Sequence, residues 1–386
     1  MKKLILLTAC LLFSSTIFSQ SIKDSAEKYG FKFGAGLSYD QMMDVEILET
    51  IEQDFNSITG TNEFKAYSLL SNRLSKTSKN QMPVMDYSKA DKMCMAAEMI
   101  DAKIRGHVLV WDAYMPDWFF RKGYTQTGAY VDRNTMCKRL EYYIEDVITH
   151  FETNFPGLIY CWDVVNEAVA DSPSEAAAGD NARIRKTRGG KQNLFYEVIG
   201  RDYVELAFKY ARNTVDKLGA DIKLYYNDYS TFQYQKKAAI KNLLMELNFD
   251  QKLCDGLGMQ GYIGGYGIQG GCMNTNDITM IKNAILDYAS LGVEVQLTEM
   301  AVRNYKPDSS TMKQHTKFYQ ALFEMLKKIN DGENKPLTAV TIWGLCDNPY
   351  LSKNDYSYKM NGPYCGVYDE NFKPKEEYEA IKKALK

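Results

Sequence analysis

Two carboxylates stand where a folded chain has little structural use for them. Leu158 to Glu167 (Leu-Ile-Tyr-Cys-Trp-Asp-Val-Val-Asn-Glu) is an apolar, β-branched and aromatic run of strand length. It closes on two polar residues, Asn166 and Glu167. Val293 to Glu299 (Val-Glu-Val-Gln-Leu-Thr-Glu) has the same form and closes on Glu299. Carboxyl groups at the mouths of two buried strands suit glycosidic bond cleavage, with one acting as acid and the other as nucleophile. The plainer alternative is a pair of rim carboxylates salt-bridged to Lys or Arg.

These carboxylates need a frame that aims them at one place. Strand candidates recur along the chain at Phe31–Leu37, Phe55–Thr59, Lys103–Trp111, Leu158–Val165, Ile222–Tyr226, Gly256–Ile263, Val293–Thr298 and Leu337–Leu345. Amphipathic helical segments lie between them, among them Met136–Phe151, Tyr203–Lys217, Ile278–Ser290 and Met312–Ile329. Strand–helix alternation repeated eight times predicts an α/β fold, a (β/α)₈ TIM barrel in a single domain. Such a barrel works at the C-terminal ends of its strands. Asn62, Lys65, His107, Trp111, Asp112, Asn166, Glu167, Asn227, Asp228, Gln260, Tyr262, Glu299 and Trp343 all fall there, so polar groups and Trp gather at one mouth.

The run Trp162-Asp163-Val164-Val165-Asn166-Glu167 resembles the acid/base signature of glycoside hydrolase family 10, the endo-β-1,4-xylanases. Val295-Gln296-Leu297-Thr298-Glu299 resembles that family's nucleophile strand, and the similarity runs in order from Phe33-Gly34-Ala35 to Pro374-Lys375. The resemblance implies a retaining mechanism with Glu167 as acid/base and Glu299 as nucleophile. It also implies that Asn166 donates to the 2-hydroxyl of the reacting sugar, and that Asn62, Lys65, His107, Trp111, Gln260 and Trp343 bind substrate. Singly, each has a duller reading: Trp111 and Trp343 as core, Lys65 as a solvated cation, His107 as a satisfied rim histidine. Their joint occurrence in order favours function.

Five positions depart from the family pattern. Thr61 stands for Glu, Asp112 for the His after the Trp, Tyr114 for Gln, Tyr262 for the strand-6 His and Ala301 for the Asp after the nucleophile. In the family that His and Asp form a hydrogen-bonded chain to the nucleophile. Losing both avoids an orphaned buried partner, and the Tyr262 hydroxyl is expected to take over the bond to Glu299. Asp112 is expected to add an acceptor near the reacting sugar. Thr61, Asp112 and Tyr114 put substrate decoration in question. The alternatives are a decorated xylan, another β-glycan, or a non-catalytic carbohydrate-binding barrel.

The 386 residues suffice for one large domain, and 13% are aromatic, with 28 Tyr. A net charge of −2 gives no signal for nucleic acid or a membrane surface. With three His and no metal-type spacing, no metal or cofactor is expected. The expected partner is a polysaccharide and the expected state a monomer.

Lys2-Lys3 followed by an apolar Leu4–Phe18 is expected to be a signal peptide over residues 1–20, leaving 21–386 as the catalytic domain. Export would be to the periplasm, the cell surface or the medium. Leu7-Thr8-Ala9-Cys10 also matches a lipobox, which would make Cys10 a lipid anchor. Seven further cysteines show no disulfide framework, and Cys161 and Cys346 read as small core residues. The charged stretch Asp171–Asn193, with Arg183, Arg185, Lys186 and Arg188, reads as a loop on the active face bordering the aglycone side.

Overall fold

A computed structural model of the protein describes residues 21–264 and 273–386. The signal-peptide, lipid-anchor and Cys272 questions therefore lie outside the described residues.

Eight parallel strands form the centre: β1 (Lys32–Leu37), β2 (Ser57–Gly60), β3 (Lys103–Gly106), β4 (Ile159–Asn166), β5 (Lys223–Asp228), β6 (Gly256–Met259), β7 (Glu294–Val302) and β8 (Leu337–Ile342). Each pairs with the next, and β8 returns to β1, so the sheet closes on itself and leaves no edge. This is a (β/α)₈ barrel.

The outer helices follow from their apolar spacing. Helix Arg133–Asn154 is N-capped by Asp132, whose side chain accepts from the Thr135 amide at 3.0 Å. It buries Met136, Leu140, Tyr143, Ile144, Val147, Ile148 and Phe151. That i, i+3, i+4 stripe is the face it lays on the barrel. Each such aliphatic or aromatic side chain contributes about 1.5–3 kcal/mol on burial, so a charge at Ile144 would weaken the docking of the helix.

Strand ends differ most from the sequence reading at β3, β6, β7 and β8, the last of which stops at Ile342 and not at Leu345. β3 stops at Gly106, although Leu109 and Val110 remain buried and still donate their amides to β4 carbonyls. β6 is interrupted after Met259 and resumes as Tyr262–Ile263, which pairs with Ala301 and Val302. That extra pairing carries β7 past Thr298 to Val302. Cys346 lies beyond β8 and is half-buried, whereas Cys161 is buried within β4. All six described cysteines are free thiols.

Two glycines make room for tryptophan rings, Gly36 at the barrel mouth and Gly106 on the helix-facing side of the sheet. A Cβ on Gly36 would meet the Trp343 ring at 2.4 Å, and one on Gly106 would meet the Trp162 ring at 2.3 Å. Deeper in, Arg105 and Asp163 are fully buried and joined by a two-pronged hydrogen bond. Arg105 also donates to Gln296 at 2.8 Å, and Asp163 holds the His107 Nδ1 at 2.7 Å. Burial alone would raise the Asp163 carboxyl. The Arg105 charge and the His107 hydrogen bond outweigh it and hold Asp163 below the usual carboxylate range.

Candidate active site

A cleft of about 500 Å³ opens at the C-terminal ends of the strands. Glu167 and Glu299 line it together with Asn62, Lys65, His107, Trp111, Gln260, Tyr262 and Trp343. Thr61, Tyr114, Arg188, Tyr229, Tyr356 and Ser357 line it as well.

Glu167 follows the last residue of β4 in the left-handed region, φ 56°. That conformation costs a non-glycine residue about 1–3 kcal/mol and persists only where its surroundings impose it. Here the Glu167 amide donates to the Asn227 carbonyl at 2.9 Å, while Arg185 and Arg188 donate to its own carbonyl at 3.2 and 3.1 Å. The side chain is thereby turned into the cleft. Its Oε1 accepts from Gln260 at 2.9 Å, and its Oε2 from Trp111 Nε1 at 3.2 Å and Arg188 Nη1 at 2.9 Å.

Glu299 sits inside β7 with both oxygens engaged. Asn227 Nδ2 donates to Oε1 at 3.1 Å, and the Tyr262 hydroxyl donates to Oε2 at 2.6 Å. The Tyr262 bond lies where the sequence reading placed it. Ala301 is buried against Tyr262, so the position holds no carboxylate needing a partner. Asn227 is fixed by Thr298, whose hydroxyl donates to Oδ1 at 2.7 Å. A Cβ on Gly258 would stand 2.2 Å from that same oxygen, so only glycine leaves room for Asn227 there.

One amide chain connects the two carboxylates. Asn166 Oδ1 accepts from both Asn227 at 3.0 Å and Gln260 at 3.3 Å. Its Nδ2 is buried with no hydrogen-bond partner among the described residues. A buried donor left over in this way is costly unless a ligand meets it.

Lys65 stacks over Trp111 and Tyr114, with Nζ at 5.2 and 5.1 Å from the ring centroids. Burial lowers its ammonium below the ordinary lysine value; Glu299, Glu167 and Glu63 only partly restore it. His107 is held by Asp163 from below, and Asn62 accepts from Lys65 at 3.4 Å.

Asp112 is placed differently from the sequence reading. It does not line the cleft, and its side chain is only 5% exposed. Both its oxygens accept from Arg188, at 3.0 and 2.6 Å, so its charge is met by an arginine. The stretch Asp171–Asn193 does lie on the active face. It folds around a short hairpin, Thr187–Arg188 against Lys191–Gln192, and buries Arg185. Arg188 and Asn227 were not singled out as site residues from sequence. The placement of Asn227 at a strand end was the available signal; for Arg188 it was only a charged loop after Glu167.

A closed parallel barrel with two hydrogen-bonded carboxylates at its C-terminal mouth, one just after β4 and one within β7, defines a glycoside hydrolase. The family model described as Glycosyl hydrolase family 10 matches residues 21–384, and the chain belongs to that family. Among similar proteins is a putative endo-1,4-beta-xylanase of Caldicellulosiruptor saccharolyticus, 35% identical over 80% of this chain and 92% of that protein. Endo-1,4-beta-xylanase A of Thermotoga maritima is 33% identical over 94% of this chain, which spans 30% of that longer protein. Endo-1,4-beta-xylanase B of Butyrivibrio fibrisolvens is 30% identical over 94% of this chain and 53% of its own length. Among solved structures, the CBM22-1–GH10 modules of a Clostridium thermocellum endo-1,4-beta-D-xylanase complexed with xylohexaose superpose with a TM-score of 0.80. They are 28% identical over 95% of this chain and 68% of that one. An intracellular xylanase of Thermoanaerobacterium saccharolyticum complexed with xylotriose gives 0.74, at 27% identity over 94% and 98%.

Proposed function

We propose that the protein is a retaining endo-β-1,4-xylanase. The observation that carries this reading is the pair Glu167 and Glu299, tied through Asn166, Asn227 and Gln260 into one network facing one cleft. Relatives named as xylanases, and barrels holding xylo-oligosaccharides, support the substrate class.

In the first step a Glu299 oxygen attacks the anomeric carbon while Glu167 gives its proton to the departing glycosidic oxygen. The C–O bond to the aglycone breaks and a glycosyl ester of Glu299 forms. In the second step Glu167, now ionised, takes a proton from water. The water oxygen displaces Glu299, and two inversions restore the starting configuration. Asn166 Nδ2 is the free donor suited to the 2-hydroxyl, and Trp111, Tyr114 and Trp343 offer ring faces to sugars.

A second cavity, about 560 Å³, adjoins the cleft and shares Thr61, Trp343 and Ser357 with it. Its described lining includes Asn348, Asn361, Asp347 and Glu370 and no cation. This favours a decorated xylan whose branch is neutral over one bearing a uronate. The leader Lys2–Phe18 supports export.

The test is direct. Glu299→Ala should nearly abolish release of reducing sugar from xylan. Glu167→Ala should slow xylohexaose far more than an activated aryl xylobioside, which needs no proton donor. Product of inverted configuration by NMR would refute retention. Equal kcat/KM for linear, arabinosylated and glucuronosylated fragments would refute the neutral-branch reading.

A further inference from the structure

The acid/base candidate carries a cation, and that cation is itself held by a second carboxylate. Arg188 comes from the hairpin at Thr187–Gln192, whose turn is Gly189-Gly190 with φ of 54° and 81°. Its Nε and Nη2 fork grips Asp112, Nη2 also donates to the Glu167 carbonyl, and Nη1 reaches Glu167 Oε2. Burial works against its charge, but the Asp112 hydrogen bonds and then the Glu167 charge outweigh this and keep the guanidinium protonated. Asp112 stands where the family resemblance expects His, so arginine and aspartate are best read as one unit.

A cation in contact with a carboxylate favours its ionised form. Glu167 as found accepts three donors, Gln260, Trp111 and Arg188. Oε1 accepts one of these donors and Oε2 two, so a lone pair remains for a proton while Arg188 stays in contact. For water activation in the second step the ionised form is the useful one, and Arg188 supports it.

We propose that Arg188, held by Asp112, is a positioning residue that sets the protonation of Glu167, favouring the base form needed for the second step over the acid form needed for the first. This rests on the acid/base role given to Glu167 above. Other charged or titratable groups around Glu167 are Glu299 on β7, Lys65 after β2, His107 after β3, Tyr229 after β5, Tyr262 after β6, and Arg185, which donates to the Glu167 carbonyl and is paired with Asp171 and Glu175. Among the described residues, Arg188 is the cation that hydrogen-bonds the Glu167 carboxylate.

The experiment compares pH profiles of kcat/KM on xylohexaose for the wild type, Arg188→Gln, Arg188→Lys and Asp112→Asn. Removing the cation should move the alkaline limb upward. One pH unit above the wild-type limb, Arg188→Gln should keep roughly 3- to 10-fold more of its own optimum than the wild type keeps. Arg188→Lys should leave the limb near its original place. Asp112→Asn should move it the opposite way, because Arg188 then has only Glu167. Carbon-13 NMR of the Glu167 carboxyl in the free enzyme should show the same opposite displacements without any substrate. Lower rates with unmoved limbs, or limbs moving the same way in Arg188→Gln and Asp112→Asn, would overturn the proposal and leave the xylanase reading intact. A carboxyl titration that moves while the rate profile stays fixed would overturn it by removing Glu167 from the acid role. If Arg188→Gln fails to fold, the opposed behaviour of Arg188→Lys and Asp112→Asn decides the matter.

Discussion

Asp163→Asn tests the reasoning at the base of the site. Asp163 and Arg105 are both fully buried, so solvent screens neither. The carboxylate receives both Arg105 nitrogens and His107. An Asn side chain keeps one acceptor but turns its amide donor against a guanidinium donor. At least one charge-assisted hydrogen bond, about 1.5–3 kcal/mol, is lost, and Arg105 becomes an uncompensated buried charge. Breaking a buried pair in this way costs about 3–5 kcal/mol, about a fifth or more of a typical stability of about 5–15 kcal/mol. Urea unfolding followed by tryptophan fluorescence should show the midpoint falling by about 1 M or more, for a slope near 3 kcal/mol/M. The pH dependence has a definite sign. Asp163 is held below its unfolded value, so its contribution is present above that value and is lost as pH falls through the depressed one. The wild type should therefore lose stability on acidification more steeply than the variant. A companion variant, Arg105→Met with Asp163→Leu, removes both charges and should recover most of the stability, but with raised KM because His107 loses its support. A cost below about 1 kcal/mol for Asp163→Asn at neutral pH would refute the argument.

Two further outcomes are expected. Tyr262→Phe removes the 2.6 Å donor to Glu299; the acid limb of kcat/KM should move upward, and an unmoved limb would show that the bond does not tune the nucleophile. Gly258→Ala places a methyl group 2.2 Å from Asn227 Oδ1 and 2.9 Å from Arg105 Nη2. Overpacking of this kind costs about 1–3 kcal/mol. By displacing Asn227 from Glu299 it should also lower kcat at least tenfold, whereas wild-type kcat would mean the amide can shift freely.

The barrel was legible because buried parallel strands are written as short apolar runs, and Leu337 to Ile342 or Ile159 to Val165 admit little else. The over-read end of β3 has a physical cause. Leu109 and Val110 are as buried as strand residues and still bond to β4, so their composition carries no mark of the break at His107. The under-read end of β7 depended on a partner, Tyr262–Ile263, whose register no local pattern announces. The two glutamates could be read because a carboxylate ending an apolar strand is conspicuous. Asp112 reads as a strand-mouth acceptor for a sugar and Arg188 as a loop charge; their pairing is not legible, because only the fold brings residues 76 positions apart into contact. The donor role of Asn166 is implied by the family resemblance, and its unpartnered Nδ2 gives that expectation a geometric basis.

Trp343 rests on the bare backbone of Gly36, and Trp162 on that of Gly106. For anyone redesigning the cleft, Gly36 and Trp343 count as one variable, as Gly106 and Trp162 do in the layer between sheet and helices. Replacing Trp343 with a smaller residue leaves a hollow over Gly36 that a side chain there could refill, yet any side chain at Gly36 collides while the ring remains. A library that varies one position at a time passes only through a void or a clash, so the useful sequences are those that change both together.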